Sequence, residues 1–195
     1  MEIEEAANTY SFINVLRNDT RFSEFGSNAL PLFALYHYLA IEDIAVFASD
    51  SLTDQPDDKK ADFIYINEAE GIACIAQGYT AKDWGRKEAP ANKASDLNTA
   101  AAWLLQASIG KIPETIRSHA KLLRDGLEQK TINKIVFVYA HNALESENVR
   151  RELKTVQDLV QGLALTKDAE IETLEIGLRQ LEELHLTSQG QIQIT

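Results

Sequence analysis

Residues 2–17 place Ile3, Ala6, Tyr10, Ile13 and Leu16 near helical spacing, which predicts one amphipathic helix. The polar segment 18–26 breaks that pattern. Ser27 then reads as the N-cap of a helix over about 28–40, with Pro31 in its first turn. The apolar run 44–48 reads as a short strand. Segments 62–66 and 72–77 are rich in β-branched and aromatic residues, and Glu68-Ala69-Glu70-Gly71 between them makes a turn, so together they predict a hairpin. Leu97, Ala101, Leu104 and Leu105 share one face of a helix over 92–107, and Pro113 opens another through Ile116, Ala120, Leu123 and Leu127. The run 134–139 is almost continuously apolar, as in a strand covered on both faces. Ser146 caps a helix through Val149, Leu153, Val156 and Val160. A last strand at 174–176 and a helix with Leu178, Leu181 and Leu184 follow, separated at Gly177.

Helices alternating with apolar strands late in the chain imply an α/β class, with a mixed central sheet flanked by helices. At 195 residues and 45% hydrophobic, the chain is expected to form one domain over 1–195, with 1–26 as an N-terminal helical extension. The ending GQIQIT alternates like a strand and carries no polar tail, so the chain is expected to be the N-terminal part of something longer. No run of about 18 apolar residues predicts a membrane span. The acidic MEIEEAANTY lacks the basic and apolar regions of a secretory signal. The single cysteine, Cys74, excludes a disulfide framework and fits a reducing cytoplasm. Four scattered histidines (His37, His119, His141 and His185) offer no zinc spacing. No GxGxxG fingerprint or Walker lysine follows a strand, which removes dinucleotide and P-loop chemistry.

The chemistry concentrates between Ser49 and Trp84. An acid-rich loop with Asp50, Asp54, Asp57 and Asp58 runs into Asp62 at the head of the first hairpin strand, and Gln77 closes the second. A carboxylate and a polar acceptor placed this way face the same end of a sheet, as in nucleases that hold a divalent metal. Asp62, Gln77 and Asp58 are therefore the candidate ligands for Mg2+ or Mn2+, with Asp57 a further oxygen source. Such cleavage also wants a lysine two residues past the second ligand, and Tyr79 stands there. Lys82, five residues past Gln77, is the candidate replacement, which makes Asp62, Gln77 and Lys82 the candidate catalytic set. The net charge of −11 speaks against nucleic-acid binding by the whole surface. Lys59, Lys60, Arg86, Lys87 and Lys93 nevertheless form a basic rim around the acidic stretch, suited to a phosphate backbone. Each feature also has a plainer reading. Acid-rich loops before strands are usually solvated turns, and a glutamine closing a strand often bonds a neighbouring backbone. Glu42 and Asp43 read as an exposed helix end, Trp84 and Trp103 as core, and His141 as structural or solvent-exposed.

The stretches DDKKADFIYINEAEGIACIAQGY, WGRKEAPANKASDLNTAAAWLL and KIVFVYAHN resemble the N-terminal domain of the abortive infection phage resistance protein family, over about 28–184. The resemblance implies a restriction-endonuclease-like PD-(D/E)xK fold and a place in a longer bacterial phage-defence protein. In that pattern Asp62 matches the metal-binding aspartate, Gln77 the second ligand, and Lys60-Ala61 the Gly-Ile that precedes the aspartate. The lysine of Gln-x-Lys falls on Tyr79. Two readings follow. One is a magnesium-dependent nuclease acting on DNA or RNA. The other is a catalytically silent domain that binds nucleic acid or a partner and regulates the C-terminal remainder of the full-length protein. A homo-oligomer is compatible with either.

Overall fold

The computed structural model describes residues 1–192, whose strands β1 (Phe63–Asn67), β2 (Ile72–Tyr79), β3 (Lys134–His141) and β4 (Glu170–Ile176) pair in the spatial order β1-β2-β3-β4. The β1–β2 hairpin is antiparallel, while β2–β3 and β3–β4 are parallel, so the sheet is mixed. Gly71 makes the hairpin turn at φ +70, a conformation that side chains with a Cβ resist. Each parallel step needs a helical crossover. Helices α6 (Ala91–Leu105) and α7 (Glu114–Gln129) join β2 to β3, and α8 (Glu147–Gln161) joins β3 to β4.

Every β3 residue after Lys134 is buried, because both faces of the sheet are covered. Ile135, Phe137 and Tyr139 pack under α6, α7 and α8. Val136, Val138 and Ala140 face the opposite layer. That second layer holds α1 (Ile3–Thr9), α2 (Phe12–Asn18), the short α3 (Thr20–Ser23), α4 (Ala29–Tyr38), α5 (Ile44–Ser51) and α9 (Leu178–Ile192). Ala29 to Leu35 of α4 are all buried, as expected of a helix sandwiched between a sheet and other helices. Among the described residues no helix is long and apolar enough to cross a membrane.

Four local expectations need correction. The helix expected over 2–17 is two helices, α1 and α2, with Tyr10 extended between them. Glu182 of α9 stabilises the break by accepting the Ser11 N–H at 3.0 Å, the Ser11 hydroxyl at 2.7 Å and the Phe12 N–H at 3.1 Å. Phe12 and Ile13 are fully buried in the second layer, so 1–26 packs as part of that layer. Ser27 is not the cap of α4: Asn28 holds that position, and its amide reaches Asp54 instead of the helix. The run 44–48 is helical, because Asp43 caps α5 by accepting from Ala45 N–H and Val46 N–H. Ser146 does cap α8, through the Val149 N–H. The strand-like ending at 190–195 is helical as far as Ile192, and residues 193–195 lie outside the described residues.

The β2 strand touches α4 where Gly78 meets Pro31, and a Cβ at Gly78 would fall 2.6 Å from the Pro31 ring. The ring cannot swing away, so Gly78→Ala is expected to cost about 1–3 kcal/mol. Urea denaturation of the two proteins measures this difference.

Candidate metal centre

Asp62 immediately precedes β1, and its N–H bonds Ala76 O at 2.9 Å, extending the hairpin ladder by one rung. Because Phe63 is paired with Ala76, Asp62 and Gln77 lie side by side at one end of the sheet. Both belong to the face that carries Ile64 and Ile75, beneath α6. The two side chains meet, but through the amide nitrogen and not the expected acceptor oxygen: Gln77 Nε2 donates to Asp62 Oδ2 at 2.9 Å, and the Gly78 N–H donates to the same oxygen at 2.6 Å. Gln77 Oε1 is buried and bonds no other described residue.

The acidic loop folds back onto this pair. Thr53 staples its base, its N–H bonding Asp62 O at 2.8 Å and its hydroxyl bonding Ala61 O at 2.6 Å. Asp57, Lys59 and Lys60 all adopt left-handed backbone conformations, with φ between 56 and 74. Such strain in residues that are not glycine persists only where the surroundings over-determine it. The result is that carboxylate oxygens of Asp54, Asp58 and Asp62 lie within 4.8 Å of one another. Asn28 Nδ2 steadies Asp54 at 2.8 Å, and Asp58 Oδ1 accepts the Lys60 N–H at 2.8 Å.

The three carboxylates and Gln77 open on a cleft of about 320 Å³, which Lys60, Tyr79 and Lys93 also line. Lys93 stands in the first turn of α6, where Asp96 Oδ2 lies 3.8 Å from Lys93 Nζ and 4.0 Å from Lys60 Nζ. Burial pushes the Asp62 carboxyl up to about 6, opposed by the Gly78 N–H and by Lys93 and reinforced by Asp54 and Asp58. Burial also raises Asp58.

This donor set suits a divalent cation. It gathers the hard oxygens of three carboxylates and concentrates negative charge that is only partly balanced, and the adjoining Gln77 carries a buried amide oxygen that lacks a partner. Asp54, Asp58, Asp62 and Gln77 would hold the ion.

The other anticipated residues are dispersed. Lys82 is exposed and does not line the cleft. Its loop is tied over the end of β3, where Asn142 accepts the Ala81 N–H at 2.8 Å and donates to Ala81 O at 2.7 Å. Lys59 pairs with Asp57 and lies over the Trp103 ring, 4.6 Å from its centroid, also away from the cleft. Arg86 lines a neighbouring cleft of about 510 Å³ with Asn148 and Arg151, and Lys87 is exposed beside it. Trp84 is core. His141 is fully buried and bonded to Glu175.

Two roles escaped the sequence reading. Asp54 was part of the acidic loop, but nothing in its spacing singled it out. Lys93 counted as rim, although the first turn of the helix after the hairpin was a place from which a side chain could reach the strand ends. No family model matches the chain, and no curated protein or solved structure matches it significantly.

Asp62→Asn keeps the side chain's shape and removes its ionisation. The folded wild type resists ionising Asp62 until about pH 6, whereas the unfolded chain ionises near pH 4. The raised value therefore weakens the wild type above about pH 6, and the penalty disappears as the pH falls from 6 towards 4. In metal-free buffer Asp62→Asn is expected to be more stable than wild type by on the order of 2 kcal/mol near neutral pH, with no gain below about pH 4. Chemical denaturation across that range, with wild type measured at each pH, checks the sign and the window.

Proposed function

We propose that this domain is a divalent-metal-dependent phosphodiesterase of the restriction-endonuclease-like kind, acting on nucleic acid in bacterial phage defence. The observation that carries the reading is the convergence of Asp54, Asp58 and Asp62 beside Gln77, in an open cleft that Lys60 and Lys93 also line. Membership of the abortive infection phage resistance family, with DNA or RNA as substrate in the cytoplasm, belongs to this proposal and rests on the sequence resemblance.

A bound Mg2+ or Mn2+ would supply Lewis-acid polarisation of a phosphoryl oxygen and a water more easily deprotonated than in bulk. The chain's own residues do the rest. The Gly78 N–H and Gln77 Nε2 fix the Asp62 carboxylate, so little reorganisation is needed to present its free oxygen. Lys93 brings a positive charge to the cleft where the expected lysine is replaced by Tyr79, and it meets the charge that builds on a phosphate during cleavage. Asp96 holds Lys93 and Lys60 on the same side. Asp62 or Asp58 orients the attacking water.

Tyr79 favours the second reading, a silent domain that binds nucleic acid or a partner and regulates the rest of a longer protein. It lines the cleft but brings no fixed positive charge.

The purified chain, incubated with plasmid or single-stranded RNA, is expected to cut only when magnesium or manganese is added. Asp62→Ala should abolish cutting, Lys93→Ala should slow it on the order of a hundredfold, and Lys82→Ala should leave it unchanged. Calorimetric titration with manganese separates the two readings. Binding that needs Asp62 without any cutting supports the silent domain, and no binding at all overturns the metal centre.

A further inference from the structure

A second polar constellation lies at the same end of the sheet, where β3 and β4 run out, two strands across from Gln77: Gln77 is paired with Tyr139, and Tyr139 with Glu175. The imidazole of His141, fully buried, accepts the Ala143 N–H at Nδ1 over 3.3 Å, so its proton sits on Nε2 and is donated to Glu175 Oε1 at 3.1 Å. The Ser146 N–H, at the cap of α8, donates to the same oxygen at 2.9 Å. Glu175 is only 6% exposed, yet its other oxygen, Oε2, is buried and bonds no other described residue. Gln180 Oε1, in the first turn of α9, is likewise buried and without a partner. Both residues line one cleft of about 280 Å³.

A buried carboxylate oxygen left unpaired is costly, and here two residues that line one cleft each carry a buried acceptor without a partner. Leu153 and Leu174 supply apolar wall beside them. Arg150 and Arg179 border the cleft, but they are largely exposed and are paired with Glu147 and Glu145 at 3.7 and 3.5 Å; neither bonds Glu175. The missing partner therefore has to bring hydrogen-bond donors, and a positive charge suits the carboxylate. An alkylammonium is strongly hydrated and compact. A guanidinium is planar, weakly hydrated on its faces, and presents parallel N–H groups to two acceptors between apolar walls. The net charge of −11 favours a cationic visitor.

We propose that the Glu175–Gln180 cleft is a recognition site for a guanidinium group. Glu175 Oε2 takes the charge-assisted hydrogen bond, Gln180 Oε1 takes a second, and His141 with the Ser146 N–H holds the carboxylate in place. This cleft shares no lining residue with the metal centre. Its ligand is either a free alkylguanidine or an arginine side chain presented by a polypeptide.

Titration of the 15N-labelled chain with ethylguanidinium, ethylurea and a capped Gly-Arg-Gly peptide tests this. Ethylguanidinium is expected to shift the backbone amides of Glu175 and Gln180 saturably, and the neutral ethylurea is not. A capped peptide that binds more tightly than ethylguanidinium identifies a chain-borne arginine; one that binds more weakly identifies a free alkylguanidine. Glu175→Gln should weaken binding at least about tenfold, and Gln180→Leu should also weaken it while leaving the buried pair intact. Equal shifts from ethylurea, shifts elsewhere only, or full binding in Gln180→Leu and Glu175→Gln would overturn the assignment. If Glu175→Gln does not fold, the Gln180→Leu titration and the wild-type shift map decide.

Discussion

The register of the β1–β2 hairpin is the constraint on which the rest of the candidate site depends. With Phe63 opposite Ala76, the residues just beyond them, Asp62 and Gln77, share a face and an end of the sheet. A slip of one residue would send Asp62 to the opposite face, among the buried side chains of the second layer. Several contacts hold the pairing. Gly71 permits the tight turn, Pro31 of α4 closes against Gly78, and β3 pairs along the whole length of β2 from Ile72 to Tyr79. The acidic loop then has a fixed floor to fold onto, and Thr53 ties its root to that floor.

The same face receives the first turn of α6, which brings Lys93 to the cleft, while the acidic loop itself brings Lys60, so that two lysines line the cleft with three aspartates. The electrostatic arrangement is uneven: Asp62 is buried among like charges, and its neighbours only partly offset them. Carboxylates are kept in such positions at a cost in stability, and perturbed groups of this kind concentrate at sites that bind or react. The left-handed backbone at Asp57, Lys59 and Lys60 adds strain to the same loop.

What could be read from the sequence followed the range of the interactions that decide each element. The hairpin was legible because its turn residues, its β-branched strands and its bounding polar residues are adjacent in the chain. The doubly covered β3 was legible because burial on both faces leaves an apolar run without alternation. The run 44–48 was misread because a short apolar segment has no decisive period, and a single side chain, Asp43, tips it towards a helix. The break at Tyr10 depends on Glu182, which is distant in sequence, and no local pattern announces it. The meeting of Asp62 and Gln77 was legible because one hairpin carries both. Lys93 and Asp54 reach the cleft through packing and loop folding, and Lys82 is carried off by a hydrogen-bonded pair with Asn142 that leaves no trace in spacing.

Cys74 sits in the middle of β2, almost fully buried in the second layer, and burial pushes its thiol up to about 12. Thiol reagents attack the thiolate, so the folded chain is nearly inert towards them. The strand that carries Cys74 is also the one that carries Gln77 and binds its neighbours on both sides. A reagent can reach the sulfur only when the second helical layer lifts from that face of the sheet. As the only cysteine of the chain, Cys74 is therefore a built-in clock for the opening of that layer, and its labelling rate reports how often the helices come away from the strand that carries Gln77.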